Sequence, residues 1–161
     1  MKKQEKTNVM RVLDQKKVEY AIHDYTDTGM IAGDDVAKVL GEDPNSVFKT
    51  LVTIGKSKTN YVFLVPVSKE LDLKKAAAAV GEKNIEMIKA KELLPLTGYV
   101  HGGCSPIGMK KFFKTVIDES FLNFERVCFS GGKVGMQVEM KGTDLEKVIR
   151  YSTAQIAKDP E

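Results

Sequence analysis

A chain of 161 residues, 42% hydrophobic and 29% charged, has the proportions of a globular domain with one core of its own. Its formal charge of +3 tolerates a polyanionic partner but lacks the Lys/Arg stripe of a strong nucleic-acid binder. The two cysteines, Cys104 and Cys128, form no CxxC unit and there are two histidines, so neither a zinc site nor a disulfide framework is expected. With no apolar h-region in MKKQEKTNVMRVLDQKK and no run approaching the roughly 18 apolar residues of a membrane span, a soluble cytoplasmic protein is expected.

In chain order, Val9, Val12 and Leu13 recur at helical spacing within residues 5–17, predicting an amphipathic opening helix. Val18, Tyr20 and Ile22 alternate with polar positions and predict a strand. Asp34 or Asp35 through Val36, Ala37 and Leu40 predicts a short helix stopped by Gly41. VFKTLVTI (47–54) and NYVFLVPV (60–67), joined by the polar turn GKSKT, predict a hairpin. Asp72 before four alanines, with Gly81 after the last apolar residue, predicts a capped helix. Strands are expected at Ile85–Ile88, Gly98–His101, Thr115–Asp118, Arg126–Phe129 and Val134–Met140, with a helical turn near Lys91–Leu94. A last helix is expected from Thr143, where Glu146 completes a T-x-x-E capping box, to pack across the sheet and close the domain. Consecutive strands with short connections disfavour a purely parallel sheet, so the fold class is a mixed α+β sheet in one domain over residues 1–161.

Lys49 interrupts an apolar strand and shares a face with Val47, Leu51 and Thr53. Such a lysine either snorkels to water from an edge or holds a fixed ammonium that stabilises negative charge. GGCSPIG (102–108) is a glycine-rich loop able to present several backbone N–H groups to a ligand, or an ordinary turn. SGGKVG (130–135) is a second glycine loop that serves equally as a hairpin connection. His101 and Cys104 offer a rival chemistry, an imidazole-activated thiol, although an inert packed cysteine is the commoner case. His23 has no evident partner in the sequence.

HDY at 23–25, GDD at 33–35, VFKTL at 47–51, LDLKK at 71–75, TGYVHGGCSPIG at 97–108 and SGGKVG at 130–135 together resemble the YbaK family. These are freestanding Cys-tRNA(Pro) deacylases related to the editing domain of prolyl-tRNA synthetase. The resemblance implies a strongly curved, barrel-like mixed sheet surrounded by helices, with a pocket for the 3′ end of aminoacyl-tRNA. It implies that Lys49 is the catalytic lysine and that Gly102, Gly103, Cys104, Ser105 and Pro106 form a G-x-x-x-P loop beside the ester. It also implies pocket positions at Tyr25, Gly33, Thr50, Ser130, Gly131, Gly132 and Gln137. Two residues depart from the family pattern: Ala32 stands where an aromatic is usual, and Gln137 where aspartate is common.

The implied reaction is release of cysteine from Cys-tRNA(Pro), with Cys-tRNA(Cys) as a further substrate, through attack by the substrate's own thiol. No metal, organic cofactor, DNA or membrane is implied, and the partners are aminoacyl-tRNA and prolyl-tRNA synthetase. Deacylation of Ala-tRNA(Pro) or another small residue remains an alternative, as does a non-catalytic module that binds tRNA or a synthetase.

Overall fold

Capping and alternation account for the first elements of the computed structural model, which describes residues 6–25 and 40–160. Thr7 accepts the Met10 N–H and opens α1 (Asn8–Gln15), whose Val9 and Leu13 are fully buried. The chain then enters β1 (Tyr20–Asp24). The expected helix from Asp34 or Asp35 to Leu40 lies outside the described residues, apart from Leu40 itself.

The predicted hairpin is the centre of the molecule. β2 (Phe48–Gly55) and β3 (Asn60–Pro66) pair antiparallel from Phe48 opposite Pro66 to Ile54 opposite Asn60. The short β4 (Glu70–Leu71) leads into α2 (Leu73–Val80), where Asp72 accepts from the N–H groups of Lys74 and Lys75 and Gly81 closes the C-terminus, as predicted. β5 (Ile85–Met87) and α3 (Ala90–Thr97) follow, then β6 (Lys114–Asp118), β7 (Arg126–Ser130), β8 (Met136–Lys141), β9 (Ser152–Ala154) and β10 (Ala157–Lys158).

Among the described residues the strands form three sheets: β5-β2-β3-β6-β9, β1-β8-β7 and the pair β10-β4. β3 is antiparallel to β2 but parallel to β6, so the large sheet is mixed, in agreement with the α+β expectation. β3 is buried on both faces. Its Val62 and Leu64 join Phe48, Val52, Phe129, Val138 and Met140 in the main core. Tyr61, Phe63 and Val65 turn the other way, onto Ala76 and Ala77 of α2. This explains why NYVFLVPV reads as a continuous apolar run rather than an alternating one.

Two expectations are overturned. Gly98–His101 is not a strand: Gly98 takes φ 87° as the left-handed cap of α3, and a turn closes from the Gly103 N–H to the Val100 carbonyl. The helix expected from Thr143 is instead a 3₁₀ segment, Gly142–Lys147, without a side-chain cap. Leu145 is still buried there, but the chain turns back into β9, parallel to β6. The carboxylate of Asp118 secures this return: Oδ1 accepts from the N–H groups of Ile156 and Ala157, and Oδ2 from Ser120.

Candidate functional site

The two large sheets meet where Val47, just before β2, bridges Cys128 of β7 in the parallel sense. Lys49 and Ser130 each lie two residues further on, at neighbouring positions of adjacent strands. Ser130 is opposite Gln137 on β8, and Gln137 is opposite His23 on β1. Because side chains alternate across strands, this register sets Lys49, Ser130, Gln137 and His23 in one row on a common face. Lys49 is half-buried, as is Ser130, whereas Gln137 is 4% exposed. Thr50 faces away from Lys49, on the side of Phe48 and Val52. Among the described residues, Thr50 Oγ1 and Gln137 Oε1 are both buried without a hydrogen-bond partner. A buried polar atom left unpaired costs stability.

The two glycine loops pack on one another beside this row. A Cβ at Gly103 would lie 2.9 Å from the Val134 nitrogen and 3.1 Å from the Lys133 carbonyl carbon, so only glycine permits the contact. The loops are also braced by hydrogen bonds. Thr7 Oγ1 donates to the Gly131 carbonyl at 2.6 Å, the Gly132 N–H reaches Ser130 Oγ at 3.2 Å, and Tyr99 donates to the Ile107 carbonyl. Tyr25 joins the same assembly, its N–H bonded to the Gly135 carbonyl at 2.7 Å. Ser105 and Pro106 are buried, with Ser105 Oγ accepting the Ile107 N–H.

Of the residues predicted from sequence, Tyr25, Lys49, Gly102–Pro106, Ser130–Gly132 and Gln137 thus lie on one connected stretch of strand ends and loops. Thr50 adjoins it from the opposite strand face, and Gly33 lies outside the described residues. Cys104 packs into the main core beside Tyr99 and Ile107, and burial pushes its thiol up to about 12. His101 is exposed and no hydrogen bond joins it to Cys104. An activated thiol needs the reverse, a lowered pKa and an accessible sulfur.

His23, without an evident partner in the sequence, has two acidic neighbours. Its Nε2 lies 2.9 Å from Glu139 Oε1 and 3.9 Å from Glu42 Oε2, and the Cys128 thiol donates to Glu42 Oε2 at 3.3 Å. The other oxygen of Glu139 accepts from Arg126 Nε. Arg126 and His23 together hold the Glu139 carboxyl below the usual range. Sequence spacing gives no hint of this cluster, because its members come from four separate segments. Its only local signal is alternation, which places Cys128 and Glu139 at paired positions.

The fold is a mixed α+β domain in which a strand lysine lies at a position neighbouring Ser130, the first residue of the second of two interlocked glycine loops. The chain is a member of the aminoacyl-tRNA editing domain family, which matches residues 31–148. A protein of Enterococcus faecalis (strain ATCC 700802 / V583), provisionally named Cys-tRNA(Pro)/Cys-tRNA(Cys) deacylase EbsC, is 40% identical over 158 residues, 98% of this chain and 94% of that protein. A proline–tRNA ligase of Shouchella clausii (strain KSM-K16) is 26% identical over 102 residues, 63% of this chain but 18% of the ligase. A crystal structure provisionally described as a trans-editing enzyme for prolyl-tRNA synthetase superposes with a TM-score of 0.81 at 23% identity, covering 94% of this chain and 95% of that one. That likeness establishes the shared fold.

Proposed function

We propose that this chain is a single editing domain that releases cysteine from Cys-tRNA(Pro), with Cys-tRNA(Cys) as a second substrate. The observation that carries this reading is the close packing of the 102–106 loop on the 130–135 loop, next to the strand position of Lys49. An aminoacyl ester needs its carbonyl aligned and its developing oxyanion met by preorganised donors, and backbone N–H groups on a braced loop supply both. Lys49 holds the terminal phosphate or the reacting ester, Gly102–Pro106 cradle the carbonyl, and Ser130, Gly131, Gly132, Gln137 and Tyr25 line the pocket. The two large sheets, joined at the Val47–Cys128 bridge, act as one strongly curved, barrel-like wall behind it.

The reaction uses the substrate's thiol as nucleophile. Sulfur attacks the ester carbonyl, the bond to the ribose oxygen breaks, and that oxygen takes the thiol proton, leaving free tRNA and a thiolactone that water opens to cysteine. No nucleophile from the protein is needed, which suits the buried, neutral Cys104. Prolyl-tRNA synthetase is the partner through which the tRNA is handed over, in the cytoplasm.

The test is release of labelled cysteine from Cys-tRNA(Pro) by the wild type, Lys49→Ala and Cys104→Ala, with Ala-tRNA(Pro) alongside. Release abolished by Lys49→Ala and kept by Cys104→Ala is the expected result. Loss with Cys104→Ala but not Lys49→Ala refutes the mechanism. Release of alanine alone replaces the substrate, and release from neither leaves a binding module.

A further inference from the structure

We infer that His23, Glu42, Cys128 and Glu139 form a binding site for one divalent transition-metal ion of the zinc type, a conclusion independent of the deacylase reading. Each residue offers one ligand atom, and all of these atoms lie within 4.8 Å of one another. Tetrahedral zinc with bonds of about 2.0–2.3 Å requires its ligand atoms to be roughly 3.3–3.6 Å apart. Three of the six separations are 2.9 Å (His23 to Glu139), 3.3 Å (Cys128 to Glu42) and 3.9 Å (His23 to Glu42), and none exceeds 4.8 Å, so side-chain rotations that draw the outer pairs in by up to roughly 1 Å bring all four into that span.

The donor set selects the metal. One sulfur and one imidazole nitrogen among four ligands favour zinc and its neighbours, whereas magnesium and calcium take oxygen cages. The electrostatics also call for a cation. Two carboxylates converge in a poorly solvated place, with the Glu42 side chain 11% exposed and its Oε1 buried without a partner among the described residues. Arg126 serves only the outer oxygen of Glu139 and is itself about half exposed. Among the described residues no arginine or lysine pairs with Glu42, and a buried carboxylate lacking a full complement of partners is costly. On binding, the sulfur–metal bond forms as the Cys128 S–H proton leaves to solvent.

The ligands come from β1, β7, β8 and the segment before β2. A bound ion therefore ties the three-stranded sheet to the chain entering Val47 and Lys49, one row along the sheet from Ser130 and Gln137. It acts as a staple across the junction between the two sheets.

Titration of the metal-free full chain with Co²⁺ tests this through the thiolate-to-cobalt charge-transfer absorption. The expected result is a band saturating at one Co²⁺ per chain, displaced by Zn²⁺, indifferent to excess Mg²⁺, unchanged in Cys104→Ser and absent in Cys128→Ser. Glu42→Gln, with its far-UV circular dichroism checked against the wild type, should weaken binding by at least tenfold, since even residues that only support metal ligands are worth about 10- to 100-fold. No band at millimolar Co²⁺, a band that survives Cys128→Ser, or wild-type affinity in Glu42→Gln overturns the assignment.

Discussion

Gly103→Ala tests whether the contact between the two glycine loops matters for turnover. The added methyl would lie 2.9 Å from the Val134 nitrogen and 3.1–3.2 Å from two backbone atoms of Lys133, where ordinary contact begins at 3.4 Å. These neighbours are backbone and cannot swing aside, so the loops must part by roughly half an ångström. Overpacking of this kind costs about 2 kcal/mol, within the usual range of 1–3. For a chain of this length that lowers Tm by about 4–8 °C. Misplacing catalytic groups by 1 Å costs on the order of a hundredfold, so half that displacement costs on the order of tenfold in kcat/KM. Gly81→Ala is the matched control: it has φ 72° and nothing within 4 Å of the added carbon, so it pays only left-handed backbone strain of about 1 kcal/mol. It sits at the end of α2 beside Glu82, which packs on Gly55, roughly 20 Å along β2 from Lys49. The control should melt about 2–4 °C lower and turn over Cys-tRNA(Pro) normally. Measurement is by calorimetry and single-turnover deacylation at a temperature where both variants are folded. A Gly103→Ala protein that loses stability but keeps its rate would refute a catalytic role for the loop contact.

Two further predictions concern the frame. Asp118→Ala strands the N–H groups of Ile156, Ala157 and Ser120, and losing hydrogen bonds to a buried carboxylate costs about 2–4 kcal/mol. Urea unfolding should show that loss, with kcat/KM held within about threefold at a permissive temperature; unchanged stability would mean that the Asp118 clamp contributes nothing. Stability should also fall in alkali. Burial holds Cys104 and Tyr99 at about 12 against ordinary values of 9.0 and 10.0. Both groups are neutral when protonated, so below pH 9 folded and unfolded chains bind the same protons. Above it the unfolded chain ionises first, and stability is lost progressively towards pH 12. Urea midpoints taken from pH 8 to 10.5 should decline less steeply in Cys104→Ala than in the wild type, and parallel declines would contradict the buried thiol.

The elements legible in the sequence are those whose signal is local. The β2–β3 hairpin and α2 announce themselves through alternation, the polar GKSKT turn, and the Asp72 and Gly81 caps. Gly98–His101 was misleading because Tyr99 and Val100 are good strand residues, while the governing event is the helix ending at Gly98. The T-x-x-E pattern at Thr143 was equally misleading, since the docking of β9 on β6 overrides a local capping preference. β4, β9 and β10 are two or three residues long, too short for any period, and owe their pairing to distant partners. The candidate site divides in the same way. Lys49 stands out as a charge in an apolar strand, and the two loops stand out as glycine clusters. That Gly103 abuts Lys133 and Val134 depends on loops 30 residues apart meeting, and that His23 meets Cys128 and Glu139 depends on sheet register across more than a hundred residues.

The burial of Cys104 gains meaning from the proposed chemistry. A thiolactone is an acyl donor, and a reactive protein thiol beside it would capture the cysteinyl group as a stable thioester and block the site. Nucleophilicity towards an acyl group resides in the thiolate, so a thiol near 12 presents only about one part in ten thousand in that form at pH 8. Packing Cys104 against Tyr99 and Ile107 therefore does more than fill space. On the proposed mechanism, this lets the loop carry a cysteine between Gly103 and Ser105 without offering a rival to the substrate's sulfur. The same reasoning explains how a lysine, backbone N–H groups and precise placement suffice: attack within one molecule already has the effective concentration that a protein nucleophile would otherwise supply.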